Sequence, residues 1–401
     1  MSASPEISGS HARGVSRLAF DAIAGMIGLV ETMHSAIARR SGLFPPREEV
    51  KTRGVTRLVY RSIRGVTHLT GAGVDAALGL MDAVLTVEPT PGQEATRAAL
   101  NGVLGDHLAE TANPLAIPMR LRHDGRPLHF EKDCLAKALV PLTGRLAVLA
   151  HGLCMSDLQW KRHGHDHGAA LGRDLGYTPV YLNYNTGLHI SANGRAFAEL
   201  LEGLVQGWPV PIEELVIIGH SMGGLVARSA CYYGDAQGHA WPRNLRKLIF
   251  LGTPHHGAPM ERGGQWLHLA LKASSYTAAF THLARIRSAG ITDLRYGNLL
   301  DCDWKDRDRF EHIGDTRQAV PLPKGVQCFA IAASMGSEAG GLSERLLGDG
   351  LVPVHSALGQ HREPCRALSI PKDHQWVGRA MNHFDLLNRL DVYEQIRFWL
   401  S

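Results

Sequence analysis

Apolar residues recur along this chain with two different periods, and the change falls near residue 112. In the first part they return every three or four positions. Val15, Leu18, Ala22, Met26, Val30, Met33 and Ile37 form one stripe, and Val55, Leu58, Val59, Ile63, Val66 and Leu69 form a second. That spacing predicts helices with one apolar face. The two stretches also resemble each other. GVSRLAFDAIAG (14–25) and GVTRLVYRSIRG (54–65) share Gly, Val, Arg, Leu, Ile and Gly at matching places, with the helix-breaking GLFPPREE between them. Pro89, Pro91 and Gly92 mark a boundary, and a further helix is expected over about 93–110. Residues 1–112 are therefore read as an N-terminal helical extension with an internal repeat, and 113–401 as a second domain. Two uses of the extension stay open: packing on the main domain or on a copy of itself, or contact of its arginine-flanked apolar face with a membrane or lipid surface.

Beyond residue 115 the period changes. IPMRLRHDGRPLHF alternates around Asp124-Gly125, a hairpin signal. Nearly unbroken apolar runs follow: LAVLAHG, TPVYLNY, ELVIIGH, LRKLIFLG, VQCFAIAAS and CRALSI. Helical stretches near 164–175, 190–206, 222–233 and 384–399 alternate with them. Such alternation predicts a mostly parallel sheet with helices on both faces, the hairpin being an edge feature. Between LGTPHHGAP and VQCFAIAAS no strand pattern appears. The insertion, about 258–322, carries Trp266, Leu267, Leu269, Leu271, Tyr276 and Phe280 and is expected to form a helical cap over the sheet edge.

Composition narrows the class. The 42 basic residues nearly balance 38 acidic ones, which argues against a general nucleic-acid binder. The six cysteines are scattered without a C-x-x-C pair, as in a reduced compartment. LAFDAIAGMIGLV carries Asp21 and is too short to span a bilayer, and the first ten residues lack a basic n-region. The expectation is a cytoplasmic chain, peripheral to a membrane at most, without signal peptide or transmembrane helix.

The candidate chemistry centres on IIGHSMGGL (217–225). Gly-x-Ser-x-Gly alone is weak, because 44 glycines in 401 residues produce it by chance in about one such chain in four. Its context is specific. ELVIIG before it reads as a buried strand and MGGLVARSACYY after it as a helix. A serine on so sharp a turn needs small neighbours, which Gly219, Gly223 and Gly224 supply. There Ser221 stands at a helix N-terminus, where the Met222 N–H can stabilise an oxyanion. In this architecture an acid and then a histidine follow in chain order. Asp349, in LLGDGLVPVHSALG, and His383, in RAMNHFDLL, fit loops at the carboxyl ends of strands. Asp373, Asp385, His355 and His374 are competitors with poorer placement. A second oxyanion donor is expected from Leu153 N–H after His151-Gly152, where Gly152 permits close approach. His163, His165 and His167 in KRHGHDHG fit a polar loop better than a metal site.

Together, HGL, GHSMGG, LGTPHHGAP, GDGLVP and NHFDLL resemble the esterase/lipase branch of the α/β-hydrolase superfamily. They are similar to bacterial triacylglycerol lipases and to GPI-inositol-deacylase-like serine esterases, over roughly 115–401. The resemblance implies an α/β-hydrolase fold and hydrolysis of lipid-like carboxylic esters by Ser221, Asp349 and His383 through an acyl-enzyme, with no cofactor. Secreted lipases of this kind often hold calcium near the histidine. Asp385 matches one such ligand position, but Arg389 puts a cation where a neutral ligand is wanted, so no metal is expected. Acyl transfer to an alcohol by the same residues, or a membrane or granule adaptor with a residual hydrolase domain, are the rival readings. The expected partners are an ester or lipid substrate, a lipid surface and a second copy of the chain through the N-terminal helices, and no nucleic acid.

Overall fold

The computed structural model describes residues 91–258, 288–307, 314–336 and 348–401. The expected N-terminal repeat and much of the expected cap lie outside those residues. The main compact unit spans Pro91–His107 and Ile117–Ser401. Leu108–Ala116 clusters apart from it. There the chain turns on Asn113, whose N–H donates to the Leu108 carbonyl and whose Oδ1 accepts from Leu115 N–H at 2.9 Å.

The main unit holds an eight-stranded sheet. In chain order its strands are β1 (Arg120–His123), β2 (Arg126–Pro127), β3 (Arg145–Ala150), β4 (Thr178–Asn183), β5 (Glu214–His220), β6 (Leu245–Leu251), β7 (Gln327–Ser334) and β8 (Gln375–Arg379). They lie side by side as β2-β1-β4-β3-β5-β6-β7-β8. β1 pairs antiparallel with both β2 and β4, and every later pairing is parallel. The hairpin closes at Asp124-Gly125, both with positive φ, as a two-residue turn between twisted strands requires.

The principal helices are α1 (Pro91–Glu110), α2 (Lys132–Ala138), α3 (His167–Leu175), α4 (Ile190–Gly207), α5 (Met222–Ala236) and α6 (Leu390–Leu400). Alternate strand residues divide between two covered faces. Leu149, Ile218, Ile249, Phe329 and Ile331 pack with Leu171 of α3 and Val392, Ile396 and Trp399 of α6. Their neighbours Val148, Ile217, Leu248 and Phe250 are equally buried and point the other way. That is why these strands read as continuous apolar runs. On the second face α4 and α5 pack closely, and a Cβ at Gly194 would come within 2.1 Å of Ser229 Oγ.

One strand differs from expectation. CRALSI (365–370) is not a strand. The final strand is β8, five residues further on, paired with β7 from Ala330↔Gln375 to Ser334↔Arg379. β8 is the sheet's edge and is half-exposed over most of its length, so it carries no apolar run. CRALSI instead folds back on a turn: Leu368 N–H donates to the Gly359 carbonyl, and Ile370 is buried. The last helix also starts later than expected, after a short 3₁₀ turn at Asp385–Leu387.

Candidate active site

The strand β5 ends at His220 and the helix α5 begins at Met222, so one residue makes the whole turn. Ser221 takes φ 54° and ψ −123°. For a non-glycine residue this backbone is strained, at a cost of about 1–3 kcal/mol. The surroundings hold it there. A Cβ at Gly219 would lie 2.5 Å from Gly224 Cα, and one at Gly223 would lie 2.3 Å from the Ala150 carbonyl oxygen. Helix and sheet therefore approach more closely than any side chain allows. Ser221 N–H donates to the Leu251 carbonyl at 2.8 Å, tying the turn to β6. Ser221 is fully buried, and its Oγ has no hydrogen-bond partner among the described residues.

Asp349 and His383 come together although 34 positions separate them. His383 Nδ1 lies 2.6 Å from Asp349 Oδ2, and His383 N–H donates to the Asp349 carbonyl at 3.2 Å. Both side chains are about 1% exposed. The second carboxylate oxygen, Oδ1, accepts from the N–H groups of Leu351 and Val352 at 2.9 and 2.7 Å. GDGLV is thus a turn organised by its own aspartate, with Gly348 and Gly350 at positive φ. Asp349 follows β7 and His383 follows β8, so both stand at the sheet edge where β5 delivers Ser221.

Two neighbours tie the elbow to the histidine. His220 Nε2 lies 3.2 Å from the His383 carbonyl oxygen, and the two rings are 4.7 Å apart. Nε2 must then carry the hydrogen. Burial, then the adjoining His383, holds His220 well below the usual histidine range, so it is neutral. Gly252 at the end of β6 takes positive φ, and a Cβ there would come 3.0 Å from His383 Cε1.

The loop after β3 closes the other side. A Cβ at Gly152 would lie 3.0 Å from Ser221 Cβ, so this backbone runs against the elbow. Leu153 is buried, and Cys154 beyond it takes φ 61°. Cys154 N–H donates to Thr186 Oγ1 at 3.1 Å. Tyr184 Oη donates to the His151 carbonyl at 2.8 Å and its ring stacks on His151. Burial lowers the His151 pKa to about 4. Tyr184 and Thr186, which hold this loop from beyond β4, were not expected from sequence. They act across a parallel strand pair, and nothing local marks them.

The other candidates lie elsewhere or serve the scaffold. Asp373 and His374 are in a 3₁₀ turn before β8, and His374 Nδ1 lies 3.2 Å from the Cys328 carbonyl oxygen. His355 lies in the short helix Val354–Ala357. Asp385 accepts from Asn382 N–H at 2.7 Å, and Arg389 pairs with Asp391 at 2.8 Å. The polar loop expected around KRHGHDHG is only half realised: His167 opens α3, is fully buried, and has Nε2 2.9 Å from the Leu386 carbonyl oxygen.

A family model described as the PGAP1-like alpha/beta domain matches residues 141–313, less than half of the chain. With the sheet order and the serine elbow, the architecture is decided. The fold is the α/β-hydrolase fold. Several solved structures are similar at a distance. Bacillus licheniformis lipase BlEst2 in its mature form is 17% identical, with 71% of this chain and 98% of that one covered at a TM-score of 0.43. Aspergillus fumigatus lipase B is 10% identical, with 70% and 55% covered at 0.39. Phospholipase PlaB from Legionella pneumophila is 15% identical, with 53% and 45% covered at 0.31. No curated protein sequence matches the chain.

Proposed function

We propose that the chain is a serine esterase or lipase, with Ser221 as nucleophile, His383 as base and Asp349 as its orienting acid. The observation that carries this is the buried 2.6 Å Asp349–His383 pair at the same sheet edge as the strained Ser221 elbow. With Nδ1 committed to Asp349, the imidazole accepts the serine proton at Nε2. Ser221 Oγ attacks the ester carbonyl and the N–H groups of Leu153 and Met222 hold the oxyanion. His383 passes its proton to the leaving alcohol. Water then attacks the acyl-enzyme, and His383 returns the second proton to Ser221. Every step uses side chains and backbone of this chain.

A lipid-like ester suits the site because the serine is buried, with Leu153 of the loop after β3 and Met222 at the start of α5 both buried and apolar. The test is turnover of p-nitrophenyl esters of graded acyl length. The reading expects hydrolysis that improves from short to medium chains and disappears in Ser221→Ala with an unchanged unfolding temperature. Turnover that survives in Ser221→Ala would overturn it.

A further inference from the structure

Away from Ser221, α5 and the loop after β6 meet in a cluster of cations that ester chemistry does not use. Arg228 of α5 is 4% exposed. Its Nη2 donates to the Val320 carbonyl and its Nη1 lies 3.4 Å from His255 Nδ1. Its Nε has no hydrogen-bond partner among the described residues. No carboxylate pairs with it there. Asp315 is engaged by Arg317 at 3.1 Å and by Arg366 at 3.2 Å, and Glu363 by Arg366 at 2.9 Å. A guanidinium buried without counter-charge is unfavourable. Burial, with Arg317 nearby, lowers its pKa to about 10, still charged at neutral pH.

The histidines beside it are set as donors. His255 Nδ1 accepts from Arg228, so its hydrogen sits on Nε2. That atom is buried, with no hydrogen-bond partner among the described residues, and the ring stands edge-on to Phe250. His256 Nδ1 accepts from Arg317 Nη2 at 2.8 Å in the same way. Arg228, His255, His256, Arg317, Gln318 and Arg366 line one small cavity of about 20 Å³, and among the described residues no acidic side chain lines it. The carbonyls of Val320, His255 and Gly297 around it already accept from guanidinium groups.

We propose that this cavity binds one small monovalent anion, of the size of chloride, beside Arg228 and His255. Its volume suits one water-sized guest, the size of a halide ion. Water would need acceptors for its two hydrogens, whereas this lining is rich in donors whose acceptors are missing. An acceptor-only guest supplies both the absent charge and the absent hydrogen-bond acceptor. The anion also joins parts that meet at the candidate active site. Thr253 of the same loop packs on Gly224 of the elbow, and the N–H groups of His255 and His256 donate to the carbonyl and the Oγ of Ser356, beyond the Asp349 turn.

The test is thermal unfolding of the full chain at constant ionic strength, with gluconate replaced stepwise by chloride over the millimolar range. A saturable rise in Tm is expected, because a ligand that binds only the native state stabilises it by mass action. The rise should be lost in Arg228→Gln and reduced in His255→Gln. Should Arg228→Gln not fold, chlorine NMR on the unmodified protein decides: excess line broadening that bromide competes away is the expected result. Equal Tm in gluconate and chloride, a line width no greater than that of buffer, or a Tm rise with phosphate but not chloride would each overturn the proposal. So would a chloride response that persists in Arg228→Gln.

Discussion

Asp349 uses its two oxygens for two purposes, and they can be separated. Oδ2 faces His383 Nδ1, while Oδ1 caps the turn through Leu351 and Val352 N–H. Asn can keep the capping oxygen but has no charge, and its amide favours the wrong imidazole tautomer. Asp349→Asn should therefore lower turnover by about 10⁴-fold with little change in stability. Asp349→Ala should lose the turn as well, at about 1–3 kcal/mol for the buried N–H groups left without acceptors. Kinetics and denaturant unfolding on both variants check this, and an Asn variant with near-normal kcat would refute the role given to Asp349. The candidate residues Ser221, Asp349 and His383 stand out in the sequence because each sits inside a local pattern: an elbow between strand and helix, a GDG turn, a loop before the last helix. Tyr184, Thr186 and the buried Arg228 are not. Their partners, His151, Cys154 and His255, are distant in sequence and meet them only when strands and helices pack.

At the scale of elements, the elbow depends on close approach between α5 and β3. A methyl at Gly223 would come 2.3 Å from the Ala150 carbonyl oxygen and 2.6 Å from that of His151. Backbone cannot yield as a flexible side chain does, so Gly223→Ala should move the helix start away from β3. An overpacked contact costs about 1–3 kcal/mol. The expected result is a lowered Tm together with a loss of kcat, since the Met222 N–H moves with the turn. A Gly223→Ala variant with unaltered Tm and kcat would contradict the packing described. The same distinction between buried and peripheral elements explains which ones the hydrophobic pattern reveals. The inner strands are covered on both faces and stand out as apolar runs. β8 has QWVGR at an exposed edge, while CRALSI carries apolar residues that are buried by a turn. α2 went unforeseen because Leu135 is its one buried residue, too little for a stripe.

Across the whole molecule, buried histidines make stability depend on pH. Burial lowers the pKa of both His151 and His167 to about 4 and holds His220 and His255 well below their ordinary value. Unfolded, each takes up a proton near pH 6.5; folded, His151 and His167 do so only near pH 4, and burial keeps His220 and His255 neutral well below the usual histidine range. The unfolded state thus binds more protons in that window, and stability falls as pH drops through it. Each fully realised shift of this size is worth about 3 kcal/mol. Denaturant midpoints should fall steeply between pH 7 and pH 4.5, and a midpoint constant over that range would contradict neutral buried imidazoles. Among the described residues no helix is long and apolar enough to cross a membrane. The central claim, that Ser221 is a nucleophile activated by its setting, is tested most directly by covalent labelling of the full chain with a fluorophosphonate, followed by peptide mass spectrometry. The account predicts one adduct per chain, on Ser221, and none in Ser221→Ala. An adduct on another serine, or equal labelling of the variant, would contradict it.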